Sequence, residues 1–196
     1  MYIIKSLNPE EIKEVYNQKM VRDFPPRELK PLNTILEMVS QGHYLTLGYY
    51  DADSTLMSYA FFAMDSGTVI LDYYAVSSSM RGTGVGSSFI SRFKEYFQPM
   101  GIDYLLLEVE SVESSKNQEE TDIRERRIHF YEKNGCVLSN VYSDVFDVEF
   151  RIMYLPFTGI KPPKEKLMED LNKMYRLIVA PMTKTEEEYN LKVKMW

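Results

Sequence analysis

Six residues constrain this chain more than any others: Arg81-Gly82-Thr83-Gly84-Val85-Gly86. They follow an apolar run, Val69-Ile70-Leu71-Asp72-Tyr73-Tyr74-Ala75-Val76, whose branched and aromatic residues predict a strand. They lead into Val85, Phe89, Phe93 and Phe97, which are spaced for one face of a helix. A strand, a glycine turn and a helix start are the parts of an anion cradle. Glycine lets the backbone come close to a phosphate. The first N–H groups of a helix have no partners within it, and the helix dipole adds roughly half a positive charge there. Arg81 supplies a full charge and forked donors. The expectation is a loop that holds a pyrophosphate.

Three nucleotide loops compete for this pattern. A P-loop needs a lysine after its second glycine, and none follows here. A dinucleotide loop needs Gly-x-Gly-x-x-Gly. Starting at Gly82 puts Ser87 in the third place, and starting at Gly84 puts Phe89 there, where its bulk opposes close helix–strand packing. The third pattern is Gln or Arg, two residues, Gly, one residue, then Gly or Ala. Arg81, Gly84 and Gly86 satisfy it. In this the segment resembles the coenzyme A loop of the GNAT family of N-acetyltransferases. A second segment, Arg127-Ile128-His129-Phe130-Tyr131-Glu132-Lys133-Asn134-Gly135-Cys136, is similar to that family's penultimate helix, usually Ala-x-x-x-Tyr-Glu-x-x-Gly-Phe. An apolar strand, Tyr104-Leu105-Leu106-Leu107-Glu108-Val109, lies between the two. The order glycine loop, helix, strand, tyrosine helix, final strands is that of the family. The resemblance covers residues 1–155.

Composition bounds the rest. A length of 196 residues suits one domain, with room for an appendage. Hydrophobic residues make up 44%, enough to build a core rather than a disordered chain. A net charge of −6 argues against nucleic acid as a partner through a basic face. One cysteine rules out an internal disulfide framework and suits a reducing cytoplasm. Two histidines and that cysteine, scattered, make no zinc site, and no metal is expected. No basic-plus-apolar leader and no long uncharged apolar run is present, so neither a signal peptide nor a membrane partner is expected.

Along the chain, Tyr2-Ile3-Ile4 reads as a first strand. Asn8, Pro9 and Glu11 predict a capped helix start, with Leu7 and Ile12 placed as a staple and Ile12, Val15 and Tyr16 at helical spacing. Val21–Lys30 reads as a linker containing Phe24-Pro25-Pro26. A second helix carries Leu32, Ile35, Leu36 and Val39, and Gly42 can end it. Strands are predicted over His43–Tyr50, Thr55–Met64 and Thr68–Ser77, joined by short turns that imply antiparallel neighbours. Ser111–Thr121 is polar and reads as a mobile loop before a helix over Arg126–Lys133. Strands near Val137–Tyr142 and Glu149–Leu155 complete an α+β domain, residues 1–155, with a mixed, mostly antiparallel sheet flanked by helices. Residues 156–196 read as a C-terminal helical extension. Pro162-Pro163 starts its helix, Leu167, Leu171, Met174 and Ile178 form a stripe, and Pro181 ends it. That stripe packs on the domain or, alternatively, at a homodimer contact.

The resemblance implies a reaction: acetyl-CoA, as co-substrate, gives its acetyl group to a primary amine by direct attack in a ternary complex. It implies that Arg81, Gly82, Thr83, Gly84, Val85, Gly86 and Ser87 hold the pyrophosphate. It also implies that the backbone of Ala75 and Val76 pairs with the pantetheine arm, where the strand parts from the Leu106 strand. An alkyl ammonium with pKa near 10.4 costs roughly 4–5 kcal/mol to deprotonate at pH 7, so a base is useful. Asp72 and Glu108 are the two candidates, each also readable as a strand-end carboxylate facing solvent or pairing with an arginine. Tyr131 matches the family tyrosine that bonds the coenzyme sulfur. Full proton transfer from a phenol to a thiolate is uphill by roughly 2 kcal/mol, so Tyr131 is expected to act as a hydrogen-bond donor. Arg124 and Arg127 stand where the family often has Asn and Ala. They could reach coenzyme phosphates or pair with Glu120 or Glu125. Cys136 stands where Phe is common and reads as a small buried residue. His129 reads as a surface or packing residue.

The acceptor stays open: a polyamine, an amino sugar, an amino acid or a protein amine, that is, a small-molecule or peptide amine. In the family, the segments matching Arg22–Lys30 and Ser111–Thr121 wall the acceptor site. Glu110, Glu113, Glu119 and Glu120 near the second would slightly favour a cationic amine. Two other classes remain: a non-catalytic acyl-CoA-binding regulatory module, and a nucleotide-binding regulator that answers to ATP or NAD instead.

Overall fold

The structure is a computed structural model and describes residues 2–196. Its strands are β1 (Ile3–Ser6), β2 (Tyr44–Tyr50), β3 (Leu56–Asp65), β4 (Thr68–Val76), β5 (Tyr104–Glu110), β6 (Val137–Val145), β7 (Val148–Pro156) and β8 (Val193–Met195). They form one sheet in the order β1-β2-β3-β4-β5-β7-β6-β8. Its helices are α1 (Pro9–Val15), α2 (Val21–Asp23), α3 (Leu32–Ser40), α4 (Val85–Ser91), α5 (Phe93–Phe97), α6 (Gln118–Lys133), α7 (Lys164–Ile178) and α8 (Glu186–Lys192). The chain divides into two compact units: residues up to Met64 with Asp72–Arg92, and Asp65–Leu71 with Phe93–Trp196. The α+β class and the mostly antiparallel pairing match the sequence reading.

In the first unit, β2 pairs antiparallel with β1 (Ile4 opposite Tyr49) and with β3 (Leu47 opposite Ala60). α1 opens as its residues demand. The Asn8 side chain accepts from the N–H groups of Glu10 and Glu11 at 3.0 Å, and the Glu11 carboxylate accepts from the Asn8 N–H at 2.9 Å. Ile12 and Val15 bury the inner face. The helical path then continues through a π-helical turn, Tyr16–Met20, into α2, so the linker is shorter than the sequence suggested. Met20 gives the extra turn another buried anchor, and the wide turn rephases the helix to place it there. α3 buries Ile35 and Met38, and Gly42 follows it with φ +76°.

In the second unit, β4 pairs parallel with β5, registering Ile70 with Leu106 and Leu71 with Leu107. β5 pairs antiparallel with β7 (Glu108 opposite Ile152), β7 with β6 (Phe150 opposite Ser143), and β6 with β8 (Ser143 opposite Met195). Val85 and Phe89 on α4 of the first unit, and Phe93 and Phe97 on α5 of the second, are buried as the helical spacing predicts, but the one helix expected is broken at Arg92.

α6 corrects the expected loop. It begins at Gln118, because the Asn117 side chain caps it by accepting from the Glu120 N–H at 2.9 Å. Tyr131 is its one buried residue, so it carries no apolar stripe for periodicity to detect. Asn117 followed by Glu120 was the signal that could have found it. α7 buries Leu167, Leu171, Met174 and Ile178 as predicted. The segment also contains α8 and β8, which the helical reading of residues 156–196 did not include. The Trp196 N–H and C=O exchange hydrogen bonds with Tyr142 at 3.1 and 2.9 Å, tying the chain end to β6. No helix among the described residues is long and apolar enough to cross a membrane.

Candidate active site

The glycine loop belongs to the first unit. Gly82 and Gly84 have φ of +78° and +86°, the left-handed region where a side chain is strained. Nothing lies within 4 Å of where a Cβ would sit at either position, so backbone conformation and not space selects glycine. Gly84 is the cap of α4 and offers no side chain to its N–H groups. The helical ladder opens with the Ser88 N–H bonded to the Gly84 carbonyl at 2.9 Å, so the N–H groups of Val85, Gly86 and Ser87 lie ahead of it. The Thr83 hydroxyl turns back and donates to the Met80 carbonyl at 2.7 Å. Arg81 is 63% exposed. Its Nε donates to the Val76 carbonyl at 3.3 Å, and its Nη2 lies 3.4 Å from Asp23 Oδ1. The Ala75 carbonyl accepts from the Ser58 hydroxyl at 2.7 Å. The Gly86 carbonyl accepts from the Tyr74 hydroxyl at 2.9 Å.

Asp72 sits in the same unit, in a buried polar knot. The Lys30 ammonium donates to both of its carboxylate oxygens at 2.8 Å, and the Tyr44 hydroxyl donates to Oδ2. The Lys30 and Asp72 side chains are only 9% and 11% exposed. The Lys30 backbone is fixed as well. Its N–H donates to the Tyr73 hydroxyl at 2.9 Å, and its carbonyl accepts from the Tyr16 hydroxyl at 3.0 Å. Burial, more than the neighbouring Asp72 charge, holds the Tyr44 and Tyr73 hydroxyls well above their usual pKa, so both remain donors. Lys30 was not among the residues singled out from the sequence. It ends a proline-containing linker 42 positions from its partner, and no local pattern marks it.

Glu108, Tyr131, Arg124 and Arg127 belong to the second unit. The Glu108 Oε1 accepts from the Tyr175 hydroxyl, which also bonds Ser143 Oγ at 2.7 Å. Tyr131 is 9% exposed; its hydroxyl bonds none of the described residues but is not among their sealed unpartnered polar atoms, which are Arg151 Nε and Tyr189 Oη. Burial raises its pKa, opposed weakly by the Arg127 charge, so the phenol stays protonated. Behind it, Gly135 with φ +88° ends α6, and the Cys136 N–H returns to the Tyr131 carbonyl at 3.0 Å. Cys136 is buried, and burial pushes its thiol up to about 12, which leaves it a packing residue and not a nucleophile.

The two arginines are engaged. Arg124, 11% exposed, donates to the Ser111 carbonyl and to Ser114 Oγ at 3.0 Å, and its Nη2 lies 3.4 Å from Glu110 and 3.8 Å from Glu120. Arg127 lies 3.3 Å from the other Glu110 oxygen. Glu120 was one of the ion-pair partners the sequence suggested; Glu110, which holds both arginines, was not.

No model of a known protein family and no curated protein matches this sequence. Solved structures do match it. A protein from Bacteroides thetaiotaomicron described as a GNAT-family acetyltransferase superposes with a TM-score of 0.70 at 18% identity, covering 90% of this chain and 97% of that one. The chain has the GNAT acetyltransferase fold. The ribosomal-protein-S18-alanine N-acetyltransferase of Escherichia coli matches with a TM-score of 0.58 at 20% identity, over 82% of this chain and 97% of that one. The spermidine N-acetyltransferase of Vibrio cholerae, in complex with CoA and spermine, matches with a TM-score of 0.60 at 13% identity, over 79% and 95%. At these identities the likeness to GNAT proteins is one of fold.

Proposed function

We propose that this chain is an acetyl-CoA-dependent N-acetyltransferase that moves an acetyl group to a primary amine by direct attack in a ternary complex. The observation that carries this reading is the Tyr131 hydroxyl. A buried phenol normally finds a partner in its own fold. This one bonds none of the described residues, yet it is not among their sealed unpartnered atoms, which are Arg151 Nε and Tyr189 Oη, so its oxygen stays open to a ligand, on a helix whose sequence resembles the GNAT tyrosine helix, in a chain with the GNAT fold. Its raised pKa suits it to donate a hydrogen bond to the departing coenzyme sulfur, not to act as a base.

The remaining roles follow from chemistry. The N–H groups of Val85, Gly86 and Ser87, bared by left-handed Gly82 and Gly84, would receive the pyrophosphate. Arg81, which is exposed and held only by long contacts, would turn to it, with Thr83 beside it in the loop. The Ala75 and Val76 backbone would pair with the pantetheine arm. Arg124 and Arg127 would stiffen the start of α6 through Glu110, with Arg127 the more accessible to a phosphate. Of the two carboxylates, we assign proton acceptance to Glu108. Both Asp72 oxygens are taken up by the Lys30 ammonium, which suits a structural anchor better than a base. The acceptor would be a small-molecule or peptide amine, in keeping with the spermidine and protein-alanine enzymes among the fold neighbours.

The test is acetyl-CoA consumption with a panel of amines, paired with thermal shifts in CoA, ATP and NAD. A ligand at 100 times its dissociation constant adds about 2.7 kcal/mol of stability. Turnover with stabilisation by CoA supports the reading. Stabilisation by CoA with no turnover on any amine would replace it with a binding module, and stabilisation by ATP or NAD alone would replace it with a nucleotide-binding regulator.

A further inference from the structure

We infer that Tyr175, carried on the C-terminal helix α7, is a positioning residue for Glu108, so that the segment after residue 156 takes part in the proton-transfer step. The inference rests on the reading of Glu108 as the proton acceptor.

Sheet geometry sets up the contact. Glu108 on β5 lies opposite Ile152 on β7, and Ser143 on β6 lies opposite Phe150 on β7. Ile152 and Phe150 are two positions apart on one strand and therefore share a face. Cross-strand partners share that face too, so the Glu108 and Ser143 side chains rise on the same side with β7 between them. Two strand spacings separate their backbones by roughly 9–10 Å. The Tyr175 hydroxyl fills this interval, bonding Glu108 Oε1 on one side and Ser143 Oγ on the other.

A phenol carries a single O–H, an ionised carboxylate can only accept, and a serine hydroxyl can donate as well as accept. Both contacts have the phenol as donor, so its single proton is shared between Glu108 Oε1 and Ser143 Oγ, and the ionised carboxylate is the stronger acceptor of the two. Tyr175 and Ser143 are both fully buried, so the pair is held rigidly and presents a fixed donor to a carboxylate that is itself half-buried. A charge-assisted bond of this kind fixes the carboxylate rotamer. A base gains from such preorganisation, because proton transfer depends on heavy-atom alignment.

Anchoring α7 does not need this bond. Leu167, Leu171, Met174 and Ile178 already bury its apolar stripe. One turn earlier, Asp170 accepts from the Tyr104 hydroxyl, from Thr68 Oγ1 at 3.2 Å and from the Lys166 ammonium at 2.6 Å. The Tyr175 hydroxyl serves Glu108 and Ser143 and is not part of the apolar stripe.

The experiment compares two acceptors that differ in need for a base: an alkylamine that is an ammonium at the assay pH, and a weakly basic amine that is already neutral. In Tyr175→Phe, kcat on the alkylamine should fall about tenfold, a part of the 10²–10⁴ a general base contributes, with KM for acetyl-CoA unchanged. On the weakly basic amine it should stay within about twofold of the parent, since no base is needed. Glu108→Gln should show the same selectivity more strongly, and the double variant should be no worse than Glu108→Gln alone. Equal loss on both acceptors, or no loss on either, would overturn the inference. If Tyr175→Phe does not fold, fluorotyrosine at position 175 replaces it, since this alters donor strength and hardly alters shape; kcat must then change on the alkylamine alone. Parent-level activity in Glu108→Gln alongside a loss in Tyr131→Phe would overturn the positioning role and leave the acetyltransferase reading standing. A parent protein inert towards every amine would overturn both.

Discussion

The Lys30 ammonium lies 2.8 Å from each carboxylate oxygen of Asp72, with the Tyr44 hydroxyl closing the same group. The pair joins the end of the Pro25-Pro26 linker to the strand that feeds the glycine loop. Removing one member leaves a buried charge with no counterion. Lys30→Met and Asp72→Asn should therefore each cost about 3–5 kcal/mol, read from urea unfolding midpoints. The double variant should recover a large part of that loss. Additive losses would mean that the two charges are not coupled.

Tyr131→Phe separates folding from chemistry. The hydroxyl bonds none of the described residues and is not one of their sealed unpartnered atoms, so its loss should change stability by no more than about 0.5 kcal/mol. Acetyl transfer should fall at least about tenfold while CoA still raises the melting temperature. A large loss of stability would show that the phenol is a structural hydrogen-bond donor after all.

Gly84 and Gly42 form a matched pair. Their φ values are +86° and +76°, and neither has an atom within 4 Å of a new Cβ. Alanine at either position should cost about 1–2 kcal/mol through backbone strain alone. Only Gly84→Ala should also weaken CoA binding, measured by calorimetry, because it alters the head of α4. Equal CoA affinity in the two variants would remove the loop from the binding site.

Cys136 gives a pH signature. Burial raises its thiol from 9.0 to about 12 in the folded protein. The unfolded chain therefore releases this proton first. The stability tied to the protonated thiol is complete below about pH 9 and is lost as pH rises toward 12. The difference in urea midpoint between the parent and Cys136→Ala should shrink or reverse between about pH 8 and about pH 10.5. Alkylation of the native thiol should be slow and should accelerate on unfolding.

What could be read without coordinates was whatever reports itself over a few residues. Asn8 with Glu11 announces a helix start, and Val85, Phe89, Phe93 and Phe97 announce a buried face. Leu167 through Ile178 mark the α7 stripe. The glycine loop and the Tyr131 helix are contiguous motifs, and both were placed on the elements that carry them. α6 was truncated in the sequence reading because a helix polar on nearly every side has no period to find.

The partners of the charged groups were a different matter. Asp72 and Glu108 stood out from the sequence as strand-end acids, but nothing in it joins one to Lys30, 42 positions away, or the other to Tyr175, 67 positions away. Local propensity acts through neighbours along the chain, so residue order alone determined caps, turns, stripes and the cradle. Electrostatic and hydrogen-bonded environments depend on which distant strands and helices meet, and only the packed structure decided that Asp72 meets Lys30 and Tyr44 and that Glu108 meets Tyr175.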